Sequence, residues 1–188
     1  MKIEVITIPK EGETENGDAY FVRETDGCTV LAVIDGIGHG DLAHAASQKV
    51  VKCLEACCNP DTDSNQDLDF TIRSCHEALQ STRGAVLAIA RIMNDSIRFV
   101  GIGNITALKV QDEESHFTSM NGIVGRNLKN VKVFSYPYNE GDTILMHSDG
   151  IRGLDTVKYD LSRDLHELGE IILLNHRVDD DSTILLAR

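Results

Sequence analysis

No stretch of the 188 residues stays apolar for the roughly 20 positions that a bilayer-spanning helix needs. The opening residues, MKIEVITIPKEGE, alternate and soon turn acidic, unlike a signal peptide. Base is in short supply. Eighteen Lys and Arg face thirty Asp and Glu, a formal net charge of −12. Nucleic acid and anionic membrane surfaces are therefore not expected partners, since both are anionic. No CxxC pair occurs among the five cysteines. Cys53, Cys57 and Cys58 fall at helical spacing, with Cys75 in the next helical pattern, and read as small core residues of a reduced cytoplasmic protein rather than a zinc site. There is no GxSxG and no cysteine in a phosphate-loop pattern, so serine and cysteine nucleophiles lack their usual surroundings. Internal repeats, low-complexity tracts and linkers are also missing, and the length suits one domain, residues 1–188.

What the chain does have is patterned apolar residues, 41% of the total. Residues 2–8, 19–24 and 28–35 read as strands, the last apolar enough to be buried on both faces. DLAHAASQKVVKCLEACC places Leu42, Ala46, Val50, Cys53 and Cys57 on one helical face. NPDTDSNQD reads as a loop. Leu68, Ile72, Cys75 and Leu79 mark a second helix. GAVLAIARI and SIRFVGIG flank MND as a hairpin, and ITALKV and SHFTS flank QDEE as another. VKVFSY and TILMHSD likewise flank PYNEGD. A third helix is expected over about 161–175, with Leu161, Leu165, Leu168 and Ile172 inward, before a final strand, STILLAR. Nine or ten strands exceed what one twisted sheet readily holds. The expected fold is α/β in the α+β sense: a four-layer α-β-β-α sandwich of two mainly antiparallel sheets flanked by helices.

The acids fall in a particular place. Asp18 precedes a strand in NGDAYF, Asp35 ends one in VLAVIDGIGHG, and Asp149 ends another in ILMHSDGI. Asp179, Asp180 and Asp181 lead into the last strand. Twice an apolar strand is followed by Asp-Gly, at Asp35-Gly36 and Asp149-Gly150. Each Asp-Gly alone is an ordinary turn signal. Together they suggest carboxylates that converge, and carboxylates that converge need cations. Oxygen donors without a matching Cys or His set select Mg²⁺ or Mn²⁺, and two such ions activate water for phosphoryl hydrolysis.

At these residues the sequence resembles the metal-dependent serine/threonine protein phosphatases, the type-2C or PPM family, and within it the bacterial branch of sporulation and stress-response phosphatases. The matching blocks are NGDAYF, VLAVIDGIGHG, VGIGNITAL, ILMHSDGI and DDDSTILL, in the family's order from residue 16 to 187. The resemblance implies a set of metal ligands: Asp35 bridging two ions, the Gly36 carbonyl on one of them, Asp149 and Asp180 on the second, and Asp18 acting through water. It implies Mn²⁺ or Mg²⁺, two or more ions, and attack by a metal-held water without a covalent phosphoenzyme. It further implies phosphorylated protein substrates, the small size pointing to STAS-domain stressosome components. His39 is the candidate proton donor. The early arginine with which many members grip phosphate is missing, and KEGETENGD offers only Lys10.

Other residues read more plainly. His147 is expected as a packed strand histidine, Asn104 as a turn former, and Asp179 and Asp181 as solvated or outer residues. Two rival functions remain. One is dinucleotide binding at GIGHG, although its third glycine comes one residue early. The other is a catalytically silent relative that binds phosphoproteins or a metal.

Overall fold

The computed structural model describes residues 1–58, 67–110 and 114–188. All but the last residue of NPDTDSNQD, and all but the last of QDEE, lie outside the described residues. Ten strands and three α-helices form the described fold: β1 Ile3–Ile8, β2 Asp18–Thr25, β3 Cys28–Gly36, α1 Asp41–Cys57, α2 Leu68–Leu79, β4 Ala85–Met93, β5 Ser96–Ile102, β6 Thr106–Val110, β7 Glu114–His116, β8 Phe134–Pro137, β9 Thr143–His147, α3 Leu165–His176 and β10 Ser182–Ala187. One sheet has the order β1-β10-β9-β6-β7, the other β2-β3-β4-β5-β8. All named strand pairs are antiparallel. The described residues therefore contain none of the parallel βαβ units that dinucleotide binding would require.

Side chains alternate across β3. Ala32 and Ile34 face α1 and α2, while Leu31 and Val33 face the other sheet. Both sets are apolar because β3 and β4 lie inside their sheet and are covered on both faces. A third apolar layer packs Leu165, Leu168 and Ile172 of α3 on Leu145, Ile184 and Leu186 of the first sheet. The layers are thus helix, sheet, sheet, helix, as expected.

Three details differ from the expectation, each for a physical reason. Helix α1 buries Ala43, Ala46, Val50, Leu54 and Cys57, and Leu42 is 58% exposed. Ala43 is turned inward because its backbone seats directly on Gly36, which rotates the apolar stripe by one residue. Helix α3 starts at Leu165, not near 161, because the Asp164 side chain accepts from the His166 and Glu167 backbone N–H groups and caps it there. Leu161 stays outside the helix but packs on the same cluster. Finally, β8 and β9 do not pair. β8, alternately half-buried and exposed, joins the edge of one sheet beside β5, whereas β9 is wholly buried between β10 and β6 in the other.

The first and last strands are neighbours. Ile3 pairs with Ala187. Beyond them, the Lys2 N–H donates to the Arg188 carbonyl at 2.7 Å and the Arg188 N–H to the Lys2 carbonyl at 2.9 Å.

Candidate metal centre

At one end of the sandwich the two sheets present their acids to each other. Asp18 at the start of β2 is directly opposite Asp35 near the end of β3. From the other sheet come Asp149, just past β9, and Asp180 and Asp181, just before β10. All five line one cavity of about 240 Å³. The five acids come from four chain segments.

The glycines of the two Asp-Gly pairs explain how the segments come so close. Neither has a positive φ, so neither is there for a left-handed turn. Their role is steric. A Cβ on Gly36 would lie 2.1 Å from the Ala43 carbonyl oxygen, so only glycine lets the first turn of α1 sit there. A Cβ on Gly150 would lie 2.0 Å from the Asp181 carbonyl oxygen. The second glycine thus lets the Asp149 segment rest directly on the Asp180-Asp181 segment.

Hydrogen bonds fix several of the acids. Ser148 Oγ donates to Asp18 Oδ2 at 2.5 Å and itself accepts from the Thr183 N–H at 2.9 Å. Asn104 Nδ2 donates to Asp149 Oδ2 at 2.9 Å. The Lys10 N–H donates to Asp181 Oδ1 at 2.9 Å, and the Asp181 N–H to Asp180 Oδ1 at 3.0 Å. Asp18 Oδ1 and Asp181 Oδ2 are buried with no protein partner. Burial pushes the Asp18 carboxyl up to about 7, against the pull of its Ser148 and Thr183 hydrogen bonds. Burial, then the negative charges of Asp18, Asp149, Asp180 and Asp181, push Asp35 up to about 8.

These features fit a divalent cation. The donors are carboxylate oxygens, two of them buried and unpartnered, and the repulsion that raises Asp35 is of the kind a cation relieves. Among the described residues no three His, Cys, Asp or Glu side chains close on a single point as a finished cage. The acids stand around the cavity wall, one group to each segment.

His39 lines the same cavity, with its Nδ1 2.5 Å from Glu13 Oε1. His147 is buried and donates from Nδ1 to the Ser148 carbonyl at 2.8 Å, the packed strand histidine expected. Asp179 is exposed. Of the two alternatives read for Asp181, the solvated one fails: it is 4% exposed and lines the cavity. One residue is misjudged by sequence. Asn104 holds Asp149 instead of merely shaping a turn. Ser148, which carries Asp18, was not singled out at all. Its signal is its place just past the wholly buried β9, between His147 and Asp149, where a buried hydroxyl needs a partner.

The family model described as stage II sporulation protein E (SpoIIE) matches residues 25–158. The phosphoserine phosphatase RsbX of Bacillus subtilis (strain 168) is 26% identical over 151 residues, covering 78% of this chain and 73% of that one. A solved chain described under "The bacterial stressosome: a modular system that has been adapted to control secondary messenger signaling" superposes with a TM-score of 0.90, at 31% identity and full coverage of both chains. RsbX in complex with magnesium gives a TM-score of 0.86 at 22% identity, over 98% of this chain and 92% of that one. With the family model spanning most of the sandwich and the acids meeting at its end, the chain belongs to the SpoIIE family.

Proposed function

We propose that this protein is a metal-dependent phosphatase that removes phosphate from phosphoserine or phosphothreonine in other proteins. The observation that carries the reading is the convergence of Asp18, Asp35, Asp149, Asp180 and Asp181 on one cavity, with two carboxylate oxygens buried and unpartnered. Asp35 and Asp149, with the Gly36 carbonyl, Asp180 and Asp18, would hold Mg²⁺ or Mn²⁺. Bound divalent cations supply Lewis acidity, which acidifies water and neutralises phosphoryl charge. The protein's own part is to hold these oxygens still. Ser148 fixes Asp18, Asn104 fixes Asp149, and the Lys10 N–H fixes Asp181. His39, oriented by Glu13, is placed to deliver a proton to the departing serine or threonine oxygen.

The substrate class we favour is phosphorylated STAS-domain proteins of the stressosome, in the cytoplasm. Support comes from the similarity to RsbX, a phosphoserine phosphatase, and to a chain described with the bacterial stressosome. No described helix is long and apolar enough to cross a membrane, and the five cysteines are all free thiols.

Hydrolysis of p-nitrophenyl phosphate and of a phosphoserine-bearing STAS-domain protein is the test. Activity is expected with Mn²⁺ and lost with EDTA, and Asp149→Asn should remove it. Turnover that survives EDTA would overturn the metal-dependent reading. A folded chain that binds the phosphoprotein with Mn²⁺ but never turns it over would favour the silent binder.

A further inference from the structure

The cavity is acidic, yet its proposed substrate is a dianion. Cations bound by the acids would meet part of that charge, and the remaining phosphoryl oxygens need a positive donor from the protein. The position that attracts attention is Gly38, on the cavity wall between Asp35 and α1. Its φ is +97°, and a Cβ there would lie 2.7 Å from Arg83 Nη1. Gly38 therefore leaves open the space that the Arg83 guanidinium occupies, directly behind a residue of the cavity wall.

Arg83 is built into this place. It sits in the turn between α2 and β4, and that turn is locked from both sides. Thr82 Oγ1 donates to the Leu79 carbonyl at 2.7 Å and accepts from the Gly84 N–H at 3.0 Å. The Ile37 N–H donates to the Gly84 carbonyl at 3.1 Å, tying the turn to the segment that follows Asp35. The guanidinium is on an exposed residue and has no hydrogen bond or ion pair to any described residue. Arg73 and Arg98, by contrast, are each paired with a carboxylate, Asp69 and Asp67, and the net charge of −12 offers acids in plenty.

We infer that Arg83 is a substrate-contact residue whose guanidinium grips the phosphoryl oxygens that point away from the acids. This rests on the phosphatase reading above. Arginine suits the role because its planar fork of N–H donors matches two phosphoryl oxygens at once, which a lysine ammonium does not. The contact exists in the bound substrate as well as in the transition state, so its loss should act on binding more than on turnover.

The experiment compares wild type, Arg83→Ala, Arg83→Lys and Arg73→Ala, all loaded with Mn²⁺. Arg73→Ala makes the same change in net charge on α2, at a side chain held by Asp69, and controls for long-range steering. For Arg83→Ala, KM for p-nitrophenyl phosphate and for a phosphoserine peptide should both rise roughly 10- to 100-fold, the range of a charge-assisted hydrogen bond, with kcat within about threefold. Binding of inorganic phosphate, measured by calorimetry, should weaken by a similar factor. Arg83→Lys should recover part of both, and Arg73→Ala should change neither. Unchanged melting temperatures establish that the variants fold. A KM change confined to the peptide, with phosphate binding intact, would place the contact on flanking peptide and overturn the inference. So would a fall in kcat alone, or an equal effect from Arg73→Ala. Failure of the phosphatase reading looks different, because wild type itself would then hydrolyse nothing, and phosphate binding would judge Arg83 independently.

Discussion

Replacing Asp35 with asparagine should make the metal-free protein more stable and the protein useless as a phosphatase. The amide is nearly the same size and carries no charge. In the fold the carboxyl is raised to about 8 from an ordinary 3.8, first by burial and then by the four acids that share its cavity. A carboxyl raised in this way gives its full stability below pH 3.8, and that contribution is lost as pH rises toward 8. At pH 7 some three pH units separate the solution from the unfolded value, a ceiling of about 4 kcal/mol at 1.4 kcal/mol per unit. Relaxation and water entry in a cavity open to solvent reduce it, and a gain of about 1–3 kcal/mol is expected. For a chain of this length that is about 3–10 °C in melting temperature. Thermal denaturation in EDTA at pH 7 and again at pH 4 measures it. The gain should appear at pH 7 and shrink toward nothing at pH 4, where the unfolded carboxyl is approaching protonation as well. At pH 7 the variant should also lose the rise in melting temperature that Mn²⁺ gives to wild type. An asparagine variant that melts lower at pH 7, or that gains equally at both pH values, would refute the argument that Asp35 is held at a cost in stability. Retention of Mn²⁺-dependent hydrolysis would refute its place at the centre.

Three further expectations follow from the same geometry. Gly150→Ala would drive a methyl group against the Asp181 carbonyl, 2.0 Å away, where only backbone can yield. It should cost about 1–3 kcal/mol and lower activity at least tenfold, read by melting and by p-nitrophenyl phosphate turnover. Ser148→Ala strips a buried hydrogen bond from Asp18 and leaves the Thr183 N–H without its acceptor. Chemical denaturation should show a loss of about 1–3 kcal/mol, with weaker Mn²⁺ binding. Mn²⁺ binding should also release protons at pH 7, because Asp18 and Asp35 are raised to about 7 and 8 and must ionise to accept the ion. Calorimetry in two buffers of different ionisation heat counts those protons, and affinity should fall as pH drops below 7.

Much of the fold was legible because it rests on local periodicity. β3 and β4 announce double burial by unbroken apolar runs, and the step of three and four in Leu68, Ile72, Cys75 and Leu79 is met in full by α2. The three errors share a cause: long-range contact overrode a local signal. Ala43 beside Gly36 rotated α1, a side-chain cap at Asp164 moved the start of α3, and burial drew β9 away from β8. In the cavity, acids at strand ends could be picked out by position alone. The residues that hold them could not. Asn104 reaches Asp149 from 45 positions away and Ser148 reaches Asp18 from 130, and no spacing rule connects such pairs. The same holds for Arg83, brought to Gly38 from across the α1-α2 pair.

The pairing of β1 with β10 bears on how the molecule is made. The first strand leaves the ribosome long before the one that will shield its edge, and every other described strand and helix is made before that edge is satisfied. Asp149, Asp180 and Asp181 emerge late too, so a nascent chain can carry Asp18 and Asp35 in a finished β2-β3 hairpin and still be inert. On the reading proposed above, competence for hydrolysis thus waits for the segment that carries Asp180 and Asp181 and leads into β10.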